Sequence, residues 1–140
     1  MAQSQSPTKE GYGELCRLIC GEETLADNAV KSVVCLEGTC TAASEDSTFA
    51  DPANDATHIA GDGLSIADAD SVASTTTTNA DDTIEVDHVF TASGTKTVTG
   101  FHVCNDANDK TFMECCFNAG VALESSDTLT IEGKMQIKKD

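Results

Sequence analysis

The stretch DTLTIEGKMQIKK, residues 127–139, alternates apolar and polar side chains. Leu129, Ile131, Met135 and Ile137 share one parity, while Thr128, Thr130, Glu132, Lys134, Gln136 and Lys138 take the other. Successive side chains of a strand point to opposite faces, so the pattern predicts a strand with one buried and one wet face. Gly133 falls on the buried parity and is a candidate bulge.

Three further strands are predicted upstream. TIEVDHVFTA (83–92) sets Ile84, Val86, His88 and Phe90 against Glu85, Asp87 and Val89. TKTVTGFHVC (95–104) is expected to carry Thr97, Thr99, Phe101 and Val103 on one face. KTFMECCF (110–117) is expected to end at NAG (118–120). ASG (92–94) and NDAND (105–109) separate them as turns, because Gly, Asn and Asp favour turn conformations. Four strands joined by short connections predict an antiparallel meander. One such sheet cannot close a core, so a second sheet is expected from AVKSVVCLEGTC (29–40) and GLSIADADSVAS (63–74). The expected fold is mainly β, an antiparallel β-sandwich with an N-terminal arm and one short helix.

Residues 1–9 read as a flexible arm. In GYGELCRLICGEE (11–23), Leu15, Leu18 and Ile19 fall on one helical face and Gly21 is a stop signal, while Gly11 and Gly13 weaken the helix start. The organisation expected is residues 1–25 as arm and helix, and 26–140 as the sandwich. Residues 41–63 are rich in Ala, Ser, Asp, Thr and Asn and read as a long polar connection. The arm (1–13) and this loop are the segments expected to become ordered on neighbouring chains.

The chain has 140 residues, five Phe, one Tyr and no Trp, so Val, Ile, Leu, Ala, Met and Cys must form the core. Eight basic against 24 acidic residues give a net charge of −16. This disfavours nucleic acid and anionic membrane surfaces, which need surplus Lys and Arg. The polar start MAQSQSPTKEGYGE lacks the basic-then-apolar order of a secretory signal, so synthesis in a reducing cytosol is expected.

Seven cysteines then need a role: Cys16, Cys20, Cys35, Cys40, Cys104, Cys115 and Cys116. Cys16/Cys20 and Cys35/Cys40 have intervals like those of zinc ligands, although neither stretch reads as a zinc knuckle. Free cysteines also pack well as small apolar residues. Cys115 and Cys116 are adjacent on a strand, so one should face the core and the other look outward, available for a bond between chains. His102 and Cys104 share a strand face, either as half a metal site or as half-buried strand residues. No motif for nucleophilic, phosphate-binding or zinc-protease chemistry occurs, and no enzyme activity is expected.

FTASGTKTVTGFHVCN (90–105) and VALESSDTLTIEGKMQI (121–137) resemble small structural proteins of tailed bacteriophages. Phe90, Gly94, Val98, Gly100, Asn105, Leu123, Asp127, Leu129 and Ile131 carry the resemblance, and VVCLEGTCTAASEDSTFADP (33–52) is similar to an earlier segment of that group. The resemblance implies a virion component made in the host cytoplasm. Its first form is a capsid decoration or cement protein that bridges major capsid subunits and associates with itself, as a homotrimer. A neck, tail or baseplate protein is the alternative, and a cytosolic cysteine-ligated zinc module is the alternative of another class. Release by lysis would carry the thiols into oxidising medium, where they can cross-link. Cys35, Cys40, Cys115 and Cys116 are the disulfide candidates, with Cys16 and Cys20 next. No cofactor is expected.

Overall fold

The computed structural model describes residues 3–137; the expectations for residues 1, 2 and 138–140 lie outside it. Nine strands and two helices run in the order β1 (Ser4–Pro7), α1 (Lys9–Cys20), α2 (Leu25–Asn28), β2 (Val30–Thr39), β3 (Asp55–His58), β4 (Ala67–Asp68), β5 (Ser71–Thr75), β6 (Thr83–Thr91), β7 (Lys96–Asn105), β8 (Thr111–Leu123) and β9 (Thr128–Gln136). The chain is mainly β, and its antiparallel strands form two sheets packed as a sandwich. One sheet runs β1-β8-β7-β2, with β3 and β4 both on the far edge of β2; the other runs β5-β6-β9.

The four C-terminal strands do form, but they are not a meander. β6 pairs with β9 and β7 pairs with β8, in different sheets. Thr83 opposite Gln136 and Val98 opposite Val121 belong to one uninterrupted register. Residues 83–136 therefore make one two-stranded ribbon, creased where 92–95 passes 124–127. At the crease the Ala92 amide donates to the Asp127 carbonyl, and the Ser126 amide donates back to the Ala92 carbonyl, both at 2.8 Å. Side-chain patterning cannot tell a crease from a hairpin turn, because both interrupt alternation with the same small polar residues.

Two more expectations are corrected by register. NAG (118–120) does not end β8; pairing shifts between Val98 and Gly100, and residues 117–120 bulge out of a strand that continues to Leu123. The shift inverts parity, so Val98 joins Phe101 and Val103 in the core while Thr97 is exposed. Gly133, by contrast, is not a bulge: it lies opposite Val86 in an unbroken ladder. A Cβ there would come within 3.2–3.4 Å of Met113, Val103 and Phe101, so glycine lets the sheets approach closely.

The inter-sheet core combines Val33, Cys35, Val98, Phe101, Val103, Met113 and Cys115 with Val86, Phe90 and Ile131. The other face of the larger sheet is covered as well. Helix α1 and residues 40–54 lie over it, so β2, β7 and β8 are buried on both sides along much of their length.

The N-terminal segment is correspondingly not a free arm. Ser4–Pro7 pairs with β8, from Ser4 opposite Cys116 to Pro7 opposite Met113. Thr8 then caps α1: its hydroxyl accepts from the Gly11 amide at 3.0 Å and donates to the Thr111 carbonyl. Gly11 is a contact rather than a weakness, since a Cβ there would lie 2.5 Å from the Phe112 Cα. Gly21, at φ 74°, ends the helix in the left-handed conformation. The long connection is likewise held by its own chain. The Lys9 amide donates to the Glu45 carbonyl at 2.7 Å, and the Ala43 amide to the Ser4 hydroxyl at 2.8 Å. Both segments expected to order on neighbours are thus ordered on this chain.

Candidate functional site

Beneath residues 40–54, the outer face of the larger sheet carries a row of polar and sulfur-bearing side chains. Strand register builds the row. His102 of β7 sits opposite Glu114 of β8, and Gly100 sits opposite Cys116. Glu114 and Cys116 are two positions apart on one strand and share a face. Loop residue Cys40 reaches down and is disulfide-bonded to Cys116, with Cα atoms 5.2 Å apart. Gly100 makes room for it: a Cβ there would lie 3.1 Å from the Cys40 sulfur and collide with the Cys115 carbonyl. Leu36, Ala56 and Ala43 pack around the bond.

Glu114 is fully buried and accepts from three donors. The Ser44 amide reaches Oε1 at 3.1 Å, and the Ala53 amide reaches Oε2 at 2.9 Å. His102 Nε2 also meets Oε2, at 2.7 Å. Burial raises the Glu114 pKa, but the His102 bond and the Ala53 amide outweigh it and hold the carboxyl below its ordinary value. His102 Nδ1 in turn faces the Thr111 hydroxyl at 3.1 Å and His58 Nε2 at 3.0 Å. Burial, and then repulsion from His102, push His58 down to about 4, so it stays neutral. The network therefore assigns Nε2–H to both histidines, with His58 donating to His102 and His102 donating to Glu114.

The thiols predicted from sequence separate into three environments. Cys40 and Cys116 form the one disulfide seen among the described residues. Cys35 and Cys115 are buried in the inter-sheet core, and Cys104 is buried on the outer face, 3.7 Å from the Thr111 hydroxyl. Burial pushes the Cys35 and Cys104 thiols up to about 12 and raises Cys115, which keeps all three protonated and unreactive. Cys16 and Cys20 are exposed on α1. The two close pairs read as zinc spacing are thus not brought together. The expectation of an outward cysteine at 115 or 116 is corrected too: Cys116 does point away from the core, but it points into a covered layer. His102 was legible only as a strand residue beside Cys104; its partners Glu114 and His58 carried no local signal.

A second feature lies on α1. The helix buries Gly11 and Glu14 toward the sheet, and Glu14 pairs with Arg17. Leu15 and Leu18 are half-buried, while the other apolar residues point outward. Tyr12 is 54% exposed and Ile19 84% exposed, and with Leu15, Cys16 and Cys20 they form an uncharged stripe. Tyr12, Leu15 and Ile19 wall an open groove of about 230 Å³, completed by Ile84, Met135 and Ile137 at the end of the smaller sheet. Among the described residues, no helix is long and apolar enough to cross a membrane. Comparison with protein-family models, with curated proteins and with solved structures finds no match to this chain.

Proposed function

We propose that the protein is a virion structural component, a capsid decoration or cement protein that docks on the major capsid subunit through the stripe of α1. The observation that carries this reading is the inverted helix. A helix packed on a sheet ordinarily buries its apolar residues. Here Tyr12 and Ile19 face outward on a chain with net charge −16. An uncharged apolar face on so acidic a molecule favours docking at that face over non-specific contact elsewhere. The resemblance of residues 90–105 and 121–137 to phage structural proteins supplies the partner. Bridging adds interface that exists only in the assembled shell, and so stabilises the shell by mass action.

The test is to purify particles from a lysate containing the protein and to quantify the chain by mass spectrometry. The expected result is a fixed copy number per particle, lost when Ile19→Asp places a charge in the stripe while the isolated protein still melts normally. Recovery of the chain only outside the particles would refute the proposal. Imaging labelled protein on intact particles distinguishes shell attachment from the neck or tail.

A further inference from the structure

The sulfurs of Cys40 and Cys116 and a carboxylate oxygen of Glu114 all lie within 4.8 Å of one another, and all three residues are buried. We propose that reduction of the Cys40–Cys116 bond converts this corner into a binding site for one zinc ion, held by two thiolates and the Glu114 carboxylate. The site stands on this geometry and does not depend on the docking reading above.

The surroundings of the corner support it. Glu114 lies beside both sulfurs and accepts from the Ser44 and Ala53 amides and from His102. The same bonds fix its orientation, as ligating carboxylates are fixed by their hydrogen-bond partners. His102 is in turn held by Thr111 and His58, so the support continues through a second layer of buried groups. Two sulfur donors and one oxygen suit zinc.

A dithiol reductant attacks one sulfur as its thiolate, breaks the S–S bond through a mixed disulfide, and leaves as a cyclic disulfide. Two electrons have passed to the protein, and Cys40 and Cys116 are thiols. Zinc binding then expels both thiol protons, so two thiolates and one carboxylate face a divalent cation. Without the cation, two thiolates beside a buried carboxylate would repel one another, and the thiols stay protonated. A small-molecule disulfide reverses the exchange: one thiolate attacks it and expels a thiolate, the second cysteine displaces the other half, the Cys40–Cys116 bond forms again, the oxidant leaves as two thiols, and the metal is released. The corner thus alternates between a metal clip and a covalent one, each tying residues 40–54 to β8.

The test uses the full chain with Cys16→Ser and Cys20→Ser, so that the exposed thiols cannot bind metal. The protein is reduced with a phosphine, which is removed without air, and titrated with zinc or cobalt(II). One equivalent is expected in the reduced protein and none in the oxidised one, with thiolate-to-cobalt charge-transfer absorption appearing on cobalt addition. Glu114→Gln should weaken zinc binding by about ten-fold or more. Alkylation followed by peptide mapping needs no substitution in the site: bound zinc should protect Cys40 and Cys116. Failure to bind, or binding that leaves both cysteines open to alkylation, overturns the proposal.

Discussion

Removing the Cys40–Cys116 bond should lower the melting temperature of the protein by about 15 °C. The two cysteines are 76 residues apart in sequence. Closing a loop of that length removes roughly 15 cal/mol/K from the entropy of the unfolded chain, about 4.5 kcal/mol at 25 °C. Unfolding entropy is about 2.1 cal/mol/K per residue, or roughly 290 cal/mol/K for this chain, which gives the stated temperature shift. The covering segment should loosen first, because Cys40 starts residues 40–54 and Cys116 sits beneath them. The assay is calorimetric melting of the oxidised protein against the Cys40→Ala/Cys116→Ala double variant, with chelator present so that no metal replaces the bond. The Cys16→Ser/Cys20→Ser variant serves as control and should melt like the parent. A shift under about 3 °C, near 1 kcal/mol, would refute the reasoning. It would mean that the amides on Glu114 and the contacts of Lys9 hold the loop without the bond.

Acid should destabilise the fold through His58 and Glu114. His58 is held near 4, below its ordinary value, so its contribution is complete above about pH 6.5 and is lost as pH falls toward 4; the depressed Glu114 acts in the same sense. The ceiling of roughly 3 kcal/mol for His58, discounted for its partial exposure, leaves about 1–2 kcal/mol. Urea melts at pH 7 and pH 4.5 measure it, and an equal loss in His58→Gln would contradict the assignment. Gly11→Ala should destabilise by about 1–3 kcal/mol, because the new methyl meets the Phe112 backbone and the strain exceeds the ~1 kcal/mol gain in helix propensity. Gly13→Ala, with its nearest atom at 3.8 Å, should instead stabilise by up to ~1 kcal/mol, so melts of the pair separate packing from propensity. In the native protein, Cys16 and Cys20 should be alkylated within minutes while Cys35, Cys104 and Cys115 remain unmodified, as peptide mapping would show. Modification of the buried three at a similar rate would indicate an open sandwich.

Alternation revealed the strands because each pleat has one face against the core. Ile84, Val86 and Phe90 read correctly for that reason, as did Leu129 and Ile131. It failed where geometry departs from a regular ladder. The bulge at 117–120 moved Val98 onto the core face and left Thr97 outside, and no side chain announces such an insertion. The candidate site was hidden by a different cause. Glu114 lies in the run FMECCF and is buried only because α1 and residues 40–54 make a third layer. A sequence pattern treats an acid on a strand as wet, and the covering layer comes from 60 to 100 residues away. Gly11 reads in the sequence as a weak helix start and Gly133 as a bulge for the same reason, since a close approach is a property of two elements. The cysteine positions were legible as candidates but not as pairs, because Cys40 meets Cys116 only after the β2-β7-β8 register is set.

The creased ribbon ties the two layers of the sandwich together as a zip does two edges of cloth. Closing the strands from the 105–110 end outward sets the larger sheet first and, past the crease, hands the same tooth-by-tooth alignment to β6 and β9. Neither sheet chooses its partners independently. A residue added at 92–95 alone would displace every pair from Thr83 to Thr91, whereas matched additions on both sides of the crease would leave the alignment intact and merely lengthen the fold. The tip at 105–110 is anchored as well: the Asp106 and Ala107 amides donate to the Ala29 and Asp27 carbonyls and Asn105 is buried, so added sequence there would pull on α2 and the start of β2.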